Sequence, residues 1–236
     1  MKKTFIFFSL LILVNSCKKT IINDSQIIPT QTITKEEQKL LTPELVLKEL
    51  KEGNKASIED KLTIRNNTLQ VRNATIGQYP EAVVLSCLDS RIPVEDIFHQ
   101  SIGELYVLKT AGNIVDDNTL GGMEYSCKIA GAKVIIILGH TYCSTIKSSI
   151  ADIEFGHFSN IVEKINPSIL SAKTKYKGYH SENNPLFLDA VCKHNIYNST
   201  KIIRESSPIL REMEQQNKIK IISAIYDIQT GKVQFI

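Results

Sequence analysis

Three short apolar runs, EAVVLS (81–86), ELYVLKT (104–110) and AKVIIILG (132–139), stand out from a chain whose other stretches mostly space their apolar residues at helical intervals. The first and third are β-branched and almost unbroken, the pattern of strands covered on both faces. Around them the spacing predicts helices. TPELVLKELKEGN starts one at the cap Thr42 with Pro43 in its first position. Amphipathic spacing then continues over 55–76 until Tyr79 and Pro80 break it. VEDIF gives a helical turn, NTLGGMEYSCKIA a helix beginning near Asp117 or Asn118, and CSTIKSSIAD another. Residues 158–180 read as a Lys-rich helical insertion, and 186–214 as one or two helices stopped by Pro208. The tail KIKIISAIYDIQTGKVQFI holds a strand, a turn at Thr230 and Gly231, and a last edge strand. Strands alternating with helices predict an α/β fold: a central, mostly parallel β-sheet flanked by helices, with a C-terminal edge strand. Sheets of this kind bind ligands at the carboxyl ends of their strands, where Cys87 ends the first run and His140 follows the third.

The N-terminus follows a different pattern. MKKTFIFFSLLILVNSC has a basic start, an apolar run from Phe5 to Val14 too short to span a bilayer, and a small residue before Cys17. It reads as an export signal over 1–16, and LVNSC resembles the lipobox of bacterial lipoproteins. That resemblance implies lipidation of Cys17 and a membrane anchor at the periplasmic or outer-membrane face. Residues 17–42 are polar, carry Pro29 and lack an apolar period, so they are expected to form a tether, leaving 43–236 as the folded domain. The chain has 236 residues, 42% of them hydrophobic and 22% charged, enough for one domain with a substantial core. Loss of Lys2 and Lys3 with the signal lowers the net charge of +3 by two, to about +1, with no basic block to suggest nucleic acid.

Five cysteines at uneven spacing do not form a disulfide scaffold, even in an exported protein. Cys127 and Cys192 fall in helical patterns, where a buried free thiol is expected and a mutual disulfide is the alternative. Cys87, His140 and Cys143 differ. Two sulfurs and one nitrogen at strand ends form a donor set of the kind zinc prefers, and three protein ligands leave a fourth position open for catalysis. Asp89, two residues beyond Cys87, can reach the metal or its water. Arg91 can take both of its oxygens, keeping it ionised and turned from the ion. A cysteine nucleophile, Cys143 beside His140, is the rival chemistry.

SCLDSRIPVEDIF and ILGHTYC closely resemble the two zinc motifs of the β-class carbonic anhydrases. GELYVLKTAGN and GGMEYS resemble the segments between those motifs, and NIYNSTKIIRESSPIL and YDIQTGKVQF the C-terminal helix and closing strands. The resemblance runs from about residue 50 to the end of the chain. It implies one zinc ion per chain on Cys87, His140 and Cys143, with Asp89 a further ligand in a closed form, and a catalytic dyad of Asp89 and Arg91. It also implies a pocket lined by Gln78, Tyr106, Ala111, Gly112 and Tyr125, Tyr106 being offered by a partner in a homodimer or larger assembly.

The implied reaction is the reversible hydration of carbon dioxide to bicarbonate and a proton, through zinc-bound water brought toward a pKa of about 7. Two other readings are a related zinc hydrolase acting on carbonyl sulfide or carbon disulfide, and a non-catalytic zinc-binding surface lipoprotein. Lys109, Thr110, Gly122 and Ser144 depart from the family pattern around the site. His99, His157, His180 and His194 sit in no motif, so no proton shuttle is assigned.

Overall fold

Val83 and Leu85 point to one face of strand β1 (Ala82–Cys87) and Ala82 and Val84 to the other, so apolar side chains cover both faces, and every residue in it is buried. The computed structural model describes residues 33–59 and 71–236, and β1 is an inner strand of its sheet. β1 runs parallel to β2 (Leu105–Thr110) on one side and to the equally buried β3 (Val134–His140) on the other. β4 (Lys220–Tyr226) continues the parallel sheet beyond β3, and β5 (Val233–Phe235) closes it antiparallel. The strand order is β2-β1-β3-β4-β5. Its direction of travel reverses between β1 and β3, and open sheets form their crevice at that switch point.

The period of two along each strand divides the core. Val83, Leu85, Ile135 and Ile137 meet Met123 of α4 (Asp117–Glu124), Ile196 and Ile203 of α7 (Pro185–Ser206), and Leu210 of α8 (Pro208–Gln215). Val84, Ile136 and Leu138 meet Val46 and Leu50 of α2 (Pro43–Ile58), Ile97 of α3 (Val94–Ile97), and Phe98. A third cluster joins Cys87 and Cys143 to α5 (Ser144–Ile150), α6 (Phe158–Lys175) and Phe187 at the start of α7.

Several elements depart from the sequence reading. Residues expected to be tether form α1 (Lys35–Leu40), opened by a capping box between Thr34 and Glu37. Gln38 is buried and donates through Nε2 to the carbonyls of Pro80 at 2.7 Å and Ala130 at 2.8 Å. The domain therefore begins before residue 43, held by a polar anchor that an apolar period does not register. Pro208 opens α8 at its first turn with Ser207 as cap, so it punctuates two helices instead of ending one. The helix starting at Asp117 passes into a π-helical turn at Tyr125–Ile129, where Ser126 Oγ donates to the Gly122 carbonyl. β3 includes His140 as its last residue. Cys127 and Cys192 are free and buried, so the alternative disulfide between them is not formed, and burial pushes both thiols up to about 12. The signal segment and Cys17 lie outside the described residues, as does 60–70 of the amphipathic stretch expected over 55–76. Among the described residues no helix is long and apolar enough to cross a membrane.

Candidate metal centre

β1 and β3 are hydrogen-bonded neighbours, and their carboxyl ends carry Cys87 and His140 to one side of the switch point. The chain leaves β3 through Thr141 and Tyr142, the latter in a left-handed conformation (φ +55°), and delivers Cys143 as the cap of α5. Cys87 Sγ and Cys143 Sγ lie 3.9 Å apart, and one ligand atom from each of Cys87, His140 and Cys143 falls within 4.8 Å of the others. All three side chains are buried.

His140 Nδ1 lies 2.9 Å from the Thr141 carbonyl, a contact that places the proton on Nδ1 and leaves Nε2 as a lone pair. That Nε2 is buried and has no hydrogen-bond partner. A buried, unpartnered nitrogen facing two sulfurs carries an unmet cost unless a cation completes the group. The Cys87 thiol is pulled down to about 4, first by the hydrogen bond from the Cys143 thiol, then by His140 and the backbone N–H groups of Asp89 and Gly112, against the opposing effect of burial. The same shared bond, reinforced by burial, pushes Cys143 up. Among the described residues this is the group of histidine, cysteine and carboxylate side chains that can hold a metal ion, and its two sulfurs and one nitrogen fit zinc.

Asp89 does not join that group. Arg91 Nε donates to its Oδ1 at 3.0 Å and Nη2 to its Oδ2 at 2.8 Å, and the Arg91 backbone N–H adds a third bond at 2.9 Å. The guanidinium holds the Asp89 carboxyl down at about 2. Its Oδ2 nevertheless lies 3.9 Å from His140 Nε2, at the rim of the three-donor corner.

The family model described as carbonic anhydrase matches residues 82–233, more than half of the chain. The chain belongs to the carbonic anhydrase family. It is 26% identical over 196 residues to carbonic anhydrase 2 of Mycobacterium tuberculosis, which covers 80% of this chain and 91% of that protein. It is 33% identical over 134 residues to a carbonic anhydrase of Mycolicibacterium smegmatis, covering 54% and 65% of the two chains. Its fold is that of the β-carbonic anhydrases. One of the two tetrameric enzymes from Sordaria macrospora superposes with a TM-score of 0.65 at 20% identity, covering 70% of this chain and 85% of that one. The Coccomyxa enzyme in complex with acetazolamide gives 0.64 at 19% identity, covering 82% and 85%.

The residues that the family resemblance placed around the pocket fall in three separate places in the chain. Ala111 and Gly112 are buried at the end of β2, and the Gly112 N–H reaches Cys87. Tyr106 and Tyr125 face each other with ring centroids 6.4 Å apart, and the Tyr106 hydroxyl is buried without a partner. Gln78 is exposed on the segment before β1, and among the described residues the hydrogen bonds of the cluster do not include it.

Other groups around the site carried no motif in the sequence. The Tyr142 carbonyl accepts from Arg91 Nη2 at 3.3 Å, tying the dyad to the exit of β3. One face of α7 supports the site from behind: Cys192 Sγ donates to the His140 carbonyl, Asn195 Nδ2 to Gly112 at 2.8 Å, and Ser199 Oγ to Asn113 at 3.3 Å. Their spacing of three and four is the signal that could have found them, since polar residues on a buried helical face need partners. α7 packs so tightly on β3 that a Cβ on Gly139 would come within 2.5 Å of Ile196 Cδ1.

Proposed function

We propose that this chain catalyses the reversible hydration of carbon dioxide to bicarbonate and a proton, using one zinc ion held by Cys87, His140 and Cys143. The observation that carries the reading is the position of Asp89: its Oδ2 stands 3.9 Å from the unpartnered His140 Nε2, yet both oxygens are bound by Arg91. A structural zinc site would recruit a fourth protein ligand, whereas here the nearest carboxylate is restrained beside the corner. Zinc bound there supplies a Lewis acid that makes water a nucleophile near neutral pH. Asp89, kept ionised by Arg91 beside the metal corner, would be the acceptor that orients the proton of the nucleophile.

The same reading extends to assembly and placement. β2 is the sheet edge opposite β5 and its residues are mostly half-buried, while Tyr125 next to Tyr106 is 52% exposed and Ile129 is 70% exposed. A homo-oligomer that covers this edge supports the pocket assigned to Tyr106 and Tyr125, and the Sordaria macrospora neighbours are described as tetrameric. The signal-like segment ending at Cys17 supports an exported, lipid-anchored enzyme.

The experiment is metal analysis paired with stopped-flow hydration on the purified chain from residue 33 onward. Zinc near one per chain with rapid hydration is expected. A zinc-loaded chain that does not hydrate carbon dioxide would sink the proposal.

A further inference from the structure

We propose that Lys109 is a positioning residue: its ammonium pins the turn that carries Asp89 and Arg91 and so keeps the carboxylate beside the metal corner. The inference rests on the hydratase reading above and adds a residue to that site. Lys109 lies on β2 directly opposite Ser86 of β1, one residue before the end of the pairing at Cys87 and Thr110. From there Nζ donates to the Ile92 carbonyl at 2.9 Å and to the Asp89 carbonyl at 3.3 Å. The turn between those carbonyls is closed by the Ile92 N–H, which donates to the Asp89 carbonyl at 3.2 Å. One cation thus holds both ends of the four-residue turn, and bonds from a charged donor are the stronger kind.

The turn has two further anchors. Ile92 is fully buried in the core, and Arg91 reaches the Tyr142 carbonyl. Those anchors fix the far end of the turn and its guanidinium. Lys109 is the charged donor on the Asp89 carbonyl, beside the Ile92 N–H, and ties that carbonyl to β2, so the placement of the carboxylate relative to His140 depends on it. A shift of about 1 Å in a group that orients a nucleophile can lower a rate by about a hundredfold. Lys109 is exposed, so removing its charge strips a local restraint without opening a hole in the core.

The test uses Lys109→Met, which keeps the stem and loses the donors, and Lys109→Arg, which restores donors. Amide hydrogen exchange at Arg91 and Ile92 is read in the zinc-free and zinc-loaded protein, alongside zinc content, kcat and KM. In K109M the Ile92 amide should exchange about tenfold faster with β1 amides unchanged, consistent with local loosening. Zinc content should hold, kcat should fall about tenfold with KM within about twofold, and K109R should recover most of the lost turnover. Unchanged Ile92 exchange, a wild-type kcat in K109M, or K109R no better than K109M would overturn the proposal. If the parent enzyme itself fails to hydrate carbon dioxide, the functional reading falls, and the exchange measurement still decides whether Lys109 pins the turn.

Discussion

Arg91 binds both carboxylate oxygens of Asp89, at 3.0 and 2.8 Å, and the same guanidinium reaches the Tyr142 carbonyl at 3.3 Å. One side chain thereby joins the turn after β1 to the loop after β3, the two segments that also deliver Cys87 and His140. Asp89 is held at a distance from the metal corner by a bond that is charged and bidentate, a geometry a neutral side chain cannot reproduce.

Asp89→Asn keeps the size of the side chain and removes the charge that accepts. Turnover should fall by about 10²–10⁴, the range for loss of a positioned acid–base group, while zinc stays near one per chain. Stopped-flow hydration on samples of measured metal content checks this. Turnover within twofold of the parent would take Asp89 out of the mechanism.

Gly112 has φ +67°, and a Cβ there would stand 2.9 Å from Ile165 Cδ1 and 3.2 Å from Thr145 Cγ2. Gly112→Ala therefore combines a left-handed backbone penalty with overpacking, for a loss of about 2–4 kcal/mol. It should also draw the Gly112 N–H off Cys87 and weaken metal binding. Denaturant unfolding of the zinc-free variant separates the first effect from the second, which a zinc competition titration reads.

How much of this was legible in the sequence depended on where each interaction sits. β1 and β3 were plain because β-branched apolar runs bounded by polar residues have few other uses, and Cys87 and His140 were plain because they stand at those strand ends. Cys143 followed from its spacing to His140. The supports of the site were hidden. The Tyr142 carbonyl and the Gly112 N–H are backbone groups that any residue would offer, and Cys192, Asn195 and Ser199 look like ordinary interruptions of an apolar helical face until β3 is packed against them. α1 was missed because Gln38 docks through an amide. Lys109 could be seen only as a departure from a pattern, since its partners are carbonyls of a turn that exists only in the fold.

Glu81 enters β1 with its backbone paired to Glu104 and Lys133, which leaves its side chain against Glu49 and Glu104. Burial, then the charges of Glu49 and Glu104, raise its pKa to about 8 from 4.5. A folded-state value above the unfolded one means the folded chain holds a proton that the unfolded chain releases, so stability falls as pH rises from about 4.5 to about 8 and is level above that. Glu81→Gln should flatten the curve in this window and stabilise the protein at pH 8 by about 1–3 kcal/mol. Unfolding at pH 5 and pH 8 measures the difference. A variant that loses as much stability as the parent between the two would place the source elsewhere.

The four described cysteines should separate by chemistry when the metal is removed. Cys87 and Cys143 are the sulfurs of the donor group, whereas Cys127 and Cys192 are buried in the core with thiols pushed up to about 12. Coordination masks a thiolate, and the thiolate is the species that reacts with an alkylating reagent. In the zinc-loaded protein all four should resist modification under native conditions. After chelation, alkylation should appear first at Cys87, whose thiol is pulled down to about 4, and at Cys143, whose thiol is pushed up, only later, while Cys127 and Cys192 stay protected until the chain unfolds. Chelation should also lower Tm, because binding to the folded state alone stabilises by mass action, about 2.7 kcal/mol at a hundred times Kd. Peptide mass spectrometry after timed alkylation reads the pattern site by site. Equal labelling at Cys87 with and without chelator would mean that this sulfur does not hold the ion.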